Sequence, residues 1–160
     1  MELKRHTFRK RERLRLRNEI DALFSAGNKS FSAYPVRAVC RTTPFKGVEV
    51  CVLISVPKRH LHCAVDRNRV KRQLREAYRL NKYIAIDAVA GYNSERSADN
   101  RLSLNIALVW LSKEKFPTSE VEKKVRNLLH RAAEKYFLAD SAEALPGEAD
   151  VPFFYASLIM

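Results

Sequence analysis

The sequence contains few of the features that mark secreted or membrane proteins. Its three cysteines are an odd number without a CxxC pair, which excludes a disulfide scaffold and is typical of a reducing compartment. No run approaches the ~20 apolar residues that a membrane helix needs. The charged N-terminus lacks the apolar segment of a secretory signal. We therefore expect one cytoplasmic domain that does not contact membrane.

Acidic side chains are scarce in the first half of the chain. Residues 1–80 hold 20 basic and 7 acidic side chains, whereas residues 81–160 hold 10 and 11. Such a one-sided positive field attracts a polyanion and releases its counterions. The most basic segments have no broad apolar face of the kind that membrane-binding helices carry. This distribution favours a nucleic acid as the partner.

The chain also lacks the clustered groups that a nuclease would need. A two-metal phosphodiesterase requires neighbouring carboxylates, and acid–base cleavage requires paired histidines. The acids of the basic half are scattered, and His60 and His62 lie together in a basic loop. With Cys63 they still lack a fourth metal ligand at regular spacing. We therefore predict no catalytic residue and no metal site in this chain.

Three segments differ in composition. Residues 1–17 carry eight basic side chains and are predicted to form a mobile arm, because like charges repel one another in a packed element. Residues 18–138 carry the hydrophobic patterning of a folded domain. Residues 139–160 contain four acids and no lysine or arginine. They form an acidic and apolar C-terminal tail with no assigned role.

Hydrophobic spacing predicts an α+β sandwich with the order α-β-β-β-α-β-α and a small mixed sheet. Apolar alternation or β-branched runs indicate strands at residues 36–41, 48–56 and 102–111. Helical spacing indicates a helix from Asp66 to about residue 80, with a continuation toward Gly91, and a last helix over residues 119–136. The polar residues 92–101 between them are predicted to be a loop.

The densest pattern lies in residues 64–79. At about 100° per residue, four apolar side chains form one stripe, namely Val70, Leu74, Ala77 and Tyr78. The opposite side carries a row of cations that would repel one another unless an anion offsets them. Arginine suits that anion because its planar fork contacts phosphate oxygens bidentately. The pattern predicts a helix that packs on the sheet and binds a phosphate backbone.

These residues resemble a known signature. The run Ala64-Val65-x-Arg67-Asn68-Arg69-x-Lys71-Arg72-x-x-Arg75-Glu76-x-Tyr78-Arg79 is similar to that of the bacterial ribonuclease P protein component. Shorter matches are Lys10-Arg11-Glu12-Arg13-Leu14-Arg15, Leu23-Phe24-x-x-Gly27 and Ser55-Val56-x-Lys58-Arg59. The resemblance covers about residues 8–137. It implies an α–β sandwich with a left-handed crossover around the long helix.

The resemblance also implies a function. The chain would be the protein subunit of an endoribonuclease that removes the 5′ leader of precursor tRNA. Catalysis would belong to ribonuclease P RNA and its Mg²⁺ ions, while the protein alone would bind no cofactor and need no protein partner. An alternative that shares the basic arm and helix is a non-enzymatic RNA-binding protein of the ribosomal or RNA-chaperone type.

The family likeness assigns RNA contacts residue by residue. The RNA-binding set it implies is Arg67, Asn68, Arg69, Lys71, Arg72, Arg75, Arg79, Lys58, Arg59, Arg11 and Arg13. The leader would enter the cleft between the first helix and the sheet face, with Phe24 and Tyr34 as stacking residues. From the residues alone, Phe24 fits a core position equally well, and Tyr34 fits an exposed turn.

Overall fold

Four helices and a four-stranded sheet make up the computed structural model, which describes residues 4–25 and 27–138. The elements are α1 (Arg17–Leu23), β1 (Lys29–Ala33), β2 (Val36–Pro44), β3 (Val50–Ser55), α2 (Ala64–Asn81), α3 (Tyr83–Ser94), β4 (Leu102–Trp110) and α4 (Thr118–Ala133). A π-helical turn, Glu134–Leu138, follows α4. The α+β class is confirmed. The predicted tail, residues 139–160, lies outside the described residues.

The sheet has the strand order β1-β2-β4-β3. The β1–β2 and β2–β4 pairs are antiparallel, and β3 runs parallel to β4. Because parallel neighbours require a crossover, α2 and α3 together connect β3 to β4. The left hand of that crossover stays an expectation of the family likeness.

The central strand β4 is buried on both faces. Leu104, Ile106, Leu108 and Trp110 face the main core, where α2 and α4 cover the sheet. The predicted apolar stripe of α2 is buried in the same core. The other face of β4 contributes Ala107 to a second, smaller core.

The second core explains the position of the first helix. Leu23 of α1 is fully buried against Val39, Cys51 and Ala107, and Leu14 from the preceding segment joins them. The Asn28 side chain donates to the carbonyls of Ala22 and Leu23 and so closes the helix C-terminus. The helix α1 therefore lies directly on the sheet face opposite α2 and α4.

The predicted long helix is two helices. The chain breaks between α2 and α3 at Lys82, and α3 passes through Gly91 and ends at Ser94. The prediction that Gly91 ends the helix is wrong, because buried Asn93 needs helical backbone to reach β4. Its side chain bonds both the N–H and the carbonyl of Leu102 at 2.9 Å. This pairing carries the helix two residues past the glycine.

The N-terminal basic segment is packed where the structure describes it. Glu12 and Leu14 are buried, and Phe8 stacks edge-on against Tyr78 at 5.4 Å. Glu12 forms an ion pair at 2.8 Å with buried Lys82. The prediction of a mobile arm therefore fails for residues 4–16. The like charges are accommodated because the basic side chains of this segment are exposed to solvent, while Phe8, Glu12 and Leu14 anchor it.

Within residues 4–25 and 27–138, the helices are too short or too polar for any of them to cross a membrane.

Candidate nucleic-acid interface

The exposed face of α2 carries uncompensated positive charge. Arg69, Arg72 and Arg75 recur every three residues and are all exposed. In the described part of the chain, none of their guanidinium groups has a hydrogen-bond or ion-pair partner. Lys71 and Asn68 flank this row. Like charges at this spacing cost about 0.2–0.5 kcal/mol per pair, a cost that bound phosphates would remove.

Arg67 has a different role from its neighbours. Its guanidinium donates to the carbonyls of Leu61 at 3.0 Å and His62 at 2.7 Å. These bonds tie the loop after β3 to the first turns of α2. Arg67 thus holds the loop that carries Lys58 and Arg59, both of which are exposed, and its predicted RNA contact stays a prediction.

Arg79, at the other end of α2, is also occupied. Its Nε donates to Glu76 at 2.9 Å, and a second nitrogen of the group donates to the His6 carbonyl at 2.7 Å. The hydrogen bond from Arg79 lowers the pKa of the Glu76 carboxyl. The predicted RNA contact of Arg79 stays a prediction, and its guanidinium would have to exchange partners to make it.

The N-terminus of α2 presents free donors. Cys63 occupies the N-cap position and makes no side-chain capping bond. Asp66, expected to cap the helix, lies in its first turn and pairs with Lys115 at 3.2 Å. The first backbone N–H groups of a helix lack partners within it and carry the positive end of the helix dipole. The helix therefore begins five residues after Arg59 with donors suited to a phosphate.

The register of the sheet places several predicted residues at one end. Val36 pairs with Trp110, and Ser55 pairs with Val109. The β1–β2 turn, the end of β4 and the end of β3 therefore lie at the same end of the sheet. Tyr34 stands on that turn, 60% exposed, with its ring edge-on to Phe116 at 6.0 Å. The structure thus brings Tyr34 to the same end as the basic loop after β3.

One row of side chains crosses all four strands at this end. The pairings Ser32–Arg37, Arg37–Val109 and Val109–Ser55 align one residue of each strand on the face that also carries α1. We call these four residues the open sheet row. Arg37 is exposed, and its guanidinium donates a hydrogen bond to the Ser30 hydroxyl at 3.3 Å. The likeness did not single out Arg37, although the alternation of Arg37, Val39 and Arg41 signalled a basic sheet face.

The space directly beneath α1 is not a cleft. The predicted leader path between the first helix and the sheet is filled by the second core, because Leu14 and Leu23 pack there. A strand of RNA on this face would have to lie beside α1, over the open sheet row. Phe24, at the C-cap of α1, is 49% exposed and therefore is not a core residue. It ends the helix that lies on this face, whereas Tyr34 stands at the sheet end.

Arg11 and Arg13 lie along the outer edge of β3. Arg13 forms a parallel bridge with Val52, and its guanidinium lies 5.4 Å from the Phe8 ring. The Arg11 carbonyl accepts the Cys51 thiol at 3.6 Å, and its side chain is exposed. The structure therefore places this pair on the segment that runs beside β3.

No group of three or more His, Cys, Asp or Glu side chains that could hold a metal ion occurs in the described ranges. His60, His62 and Cys63 thus do not form such a group. Cys63 is exposed, while Cys40 and Cys51 are buried on strands β2 and β3. The three thiols consequently differ in accessibility.

This difference predicts selective alkylation. Burial raises the pKa of Cys40 to about 12, so this thiol stays protonated at pH 8. Burial also raises the pKa of Cys51. With iodoacetamide at pH 8, we expect rapid modification of Cys63 alone, read by peptide mass spectrometry. In 6 M guanidinium chloride all three should react, and labelling of Cys40 in the native protein would contradict the buried position.

Comparison with known proteins agrees with this arrangement. The sequence model of the Ribonuclease P family matches residues 8–133. The Ribonuclease P protein component of Porphyromonas gingivalis is 38% identical over 125 residues, which is 78% of this chain and 85% of the relative. That of Chlorobium phaeobacteroides is 32% identical over 130 residues, covering 78% and 87%.

Solved structures give the same result. The RNase P protein from Thermotoga maritima superposes with a TM-score of 0.55 at 25% identity, over 75% of this chain and 96% of that one. The RNase P protein from Staphylococcus aureus, at 17% identity and a TM-score of 0.53, covers 79% and 93% and shares the fold. With a basic helix on a mixed sheet and a family match that spans most of the described residues, the chain belongs to the ribonuclease P protein component family and is the RNA-binding protein subunit of that endoribonuclease in tRNA processing.

Proposed function

We propose that this chain binds the catalytic RNA of ribonuclease P through the exposed face of α2 and binds the precursor tRNA leader across the open sheet row. The observation that carries the first part is the row of Arg69, Arg72 and Arg75, whose charges have no partner in the described chain. Each guanidinium can contact phosphate oxygens with two parallel N–H groups. Because the chain belongs to the bacterial ribonuclease P protein family, we expect it to act in the cytoplasm.

Binding of the leader is supported by the side chains at the end of the sheet where β3 and β4 finish. The open sheet row leads from β1 to β3, and the chain continues from β3 into the basic loop with Lys58 and Arg59. A single strand on a sheet gains from stacking on exposed aromatics and from cations along its backbone. Phe24, at the end of the helix on this sheet face, and Tyr34, on the β1–β2 turn, are both exposed and are the aromatics we assign to stacking.

We assign bond cleavage to the RNA. The described residues offer no group of three potential metal ligands, so the proposal places the Mg²⁺ ions of the reaction on the RNA subunit. The protein contributes positive charge and a binding surface. By neutralising phosphates it lowers the Mg²⁺ concentration that the RNA needs to bind its substrate.

Reconstitution tests the proposal. The protein is added to a bacterial ribonuclease P RNA at low Mg²⁺, and cleavage of a labelled precursor tRNA is followed. We expect a large increase in rate and no cleavage without the RNA subunit. Cleavage by the protein alone would overturn the assignment of catalysis, and absence of stimulation would overturn the binding proposal.

Phe24 provides a specific test of the leader surface. Because the ring is half exposed, Phe24→Ala should change the free energy of unfolding by less than about 1 kcal/mol. Loss of one stacked base should weaken binding of precursor tRNA by about tenfold, with mature tRNA unaffected. Equilibrium binding of both tRNAs to the reconstituted complex measures this. Phe45→Ala, which removes another exposed phenylalanine, is the control, and equal losses for both tRNAs would exclude a leader contact.

A further inference from the structure

A second basic surface lies at the opposite end of the sheet. A cavity of about 360 Å³ opens between the N-terminal segment, the start of β3 and the first turn of α3. Lys82 and Tyr83, at the junction of α2 and α3, are in its wall. At 1.5 Å per residue, α2 rises about 21 Å between Asn68 and Lys82. The cavity is therefore remote from the N-terminus of α2 and from the loop after β3.

Arginines form one wall of this cavity. Arg5, Thr7, Arg9 and Arg11 all line the cavity, at every second position of the N-terminal segment. The intervening Phe8 faces the core instead. No carboxylate pairs with the three guanidinium groups in the part of the chain that the structure describes. The wall thus presents three available cations.

The backbone that carries these arginines is fixed in place. Three successive carbonyls accept hydrogen bonds from the α2–α3 junction. The Arg5 carbonyl bonds the Tyr83 hydroxyl at 2.9 Å, the His6 carbonyl bonds Arg79 at 2.7 Å, and the Thr7 carbonyl bonds the Lys82 ammonium. The side chains of Arg5, Arg9 and Arg11 take no part in these three bonds and are left for another ligand. A wall held in this way binds with little ordering cost.

The opposite wall offers a different chemistry. Glu49 lines the cavity, and its carboxylate has no hydrogen-bond or ion-pair partner among the described residues. Glu12, by contrast, is already bonded to Lys82. Val48 and Ile86 add apolar surface. Three cations facing a free acceptor and an apolar patch match a ligand with a phosphate at one end and an N–H-bearing aromatic ring at the other.

We propose that this cavity binds one phosphate-bearing nucleotide, with Arg5, Arg9 and Arg11 on the phosphate and Glu49 on an N–H group of the base. Its volume lies in the range of small-ligand sites. The nucleotide is either free or one unit of a single RNA strand, since both carry the same phosphate and base. The proposal goes beyond the function above, because neither the exposed face of α2 nor the open sheet row takes part.

Titration of the full-length protein tests the site. Guanosine 5′-monophosphate, inorganic phosphate and a five-nucleotide single-stranded RNA are titrated separately by calorimetry. We expect saturable binding of the monophosphate and weakening by about tenfold or more in Arg5→Gln/Arg9→Gln. The control Lys10→Gln/Arg15→Gln removes the same charge from exposed positions outside the wall and should bind as the unmodified protein does. Glu49→Ala should weaken the monophosphate and leave phosphate binding unchanged.

The outcomes are distinct. Binding of the pentamer through the same arginines would identify an RNA strand as the ligand, and binding of the monophosphate alone would identify a free nucleotide. No saturable binding, equal losses in the control variant, or phosphate binding as tight as that of the monophosphate would overturn the proposal. If the double variant loses its circular-dichroism signal, Arg5→Gln alone replaces it. Reconstituted cleavage is assayed separately, so failure of the proposed function is distinguishable from failure of this site.

Discussion

Replacing Glu12 by alanine should destabilise the protein by about 3–5 kcal/mol, a large share of the stability of a domain this size. The Glu12 carboxylate is buried and forms an ion pair with the Lys82 ammonium at 2.8 Å. It also accepts a hydrogen bond from the Arg9 backbone N–H at 2.5 Å. Its removal leaves the buried ammonium with the Thr7 carbonyl as its remaining bonded partner. Urea unfolding followed by circular dichroism measures the loss. Susceptibility of residues 4–11 to protease should rise in parallel.

The double substitution Glu12→Leu/Lys82→Met separates burial of charge from loss of packing. Replacing both members of a buried pair with apolar groups is often neutral or stabilising, so the double variant should recover most of the stability that Glu12→Ala loses. Lys4→Ala is the control, because the Lys4–Asp87 pair is exposed and should contribute at most about 1 kcal/mol. A loss below about 1 kcal/mol for Glu12→Ala would show that the pair is not buried in solution.

The pair also shows where sequence patterning stops being informative. The strand β4 and the stripe of α2 were predictable, because apolar side chains at period 2 and period 3.6 are read directly from the chain. Glu12 lies in a run of cations, where hydrophobic spacing gives no sign of burial. Its partner Lys82 is 70 residues away in the sequence. Charge repulsion alone predicts a detached arm, whereas the segment is held by long-range contacts that include the Glu12–Lys82 ion pair and the Phe8–Tyr78 ring contact.

The binding surface was predictable in composition and not in detail. Helical spacing predicts that the cations of α2 share one face, but it does not predict which of them are free and which bond to the protein itself. Arg67 supports a loop because Leu61 and His62 present their carbonyls to it, and a loop conformation is not encoded by side-chain period. The open sheet row was missed for a related reason. Arg37 meets Val109 only through strand pairing, and the register of that pairing depends on the whole sheet.

These different roles lead to the prediction with the largest effect on binding. The triple variant Arg69→Ala/Arg72→Ala/Arg75→Ala should lower affinity for the catalytic RNA by about a hundredfold or more, since each charge-assisted bond to phosphate contributes more than 1 kcal/mol. The slope of log affinity against log salt concentration should become shallower by about 2–3 units, because three phosphate contacts and their released counterions are lost. Filter binding at several salt concentrations measures both.

In this variant the affinity for RNA should fall, while the stability of the fold should not. Removing three like charges from one helix face relieves repulsion, and alanine is the best helix former, so α2 should be no less stable. The matched control Lys123→Ala/Lys124→Ala/Lys135→Ala removes the same charge from α4 and the turn after it and should leave the salt slope unchanged. Arginine-to-lysine replacement at the same three α2 positions should keep the slope and lose part of the affinity, because lysine keeps the charge without the bidentate fork. An unchanged slope in the alanine triple would place the RNA on another face of the protein.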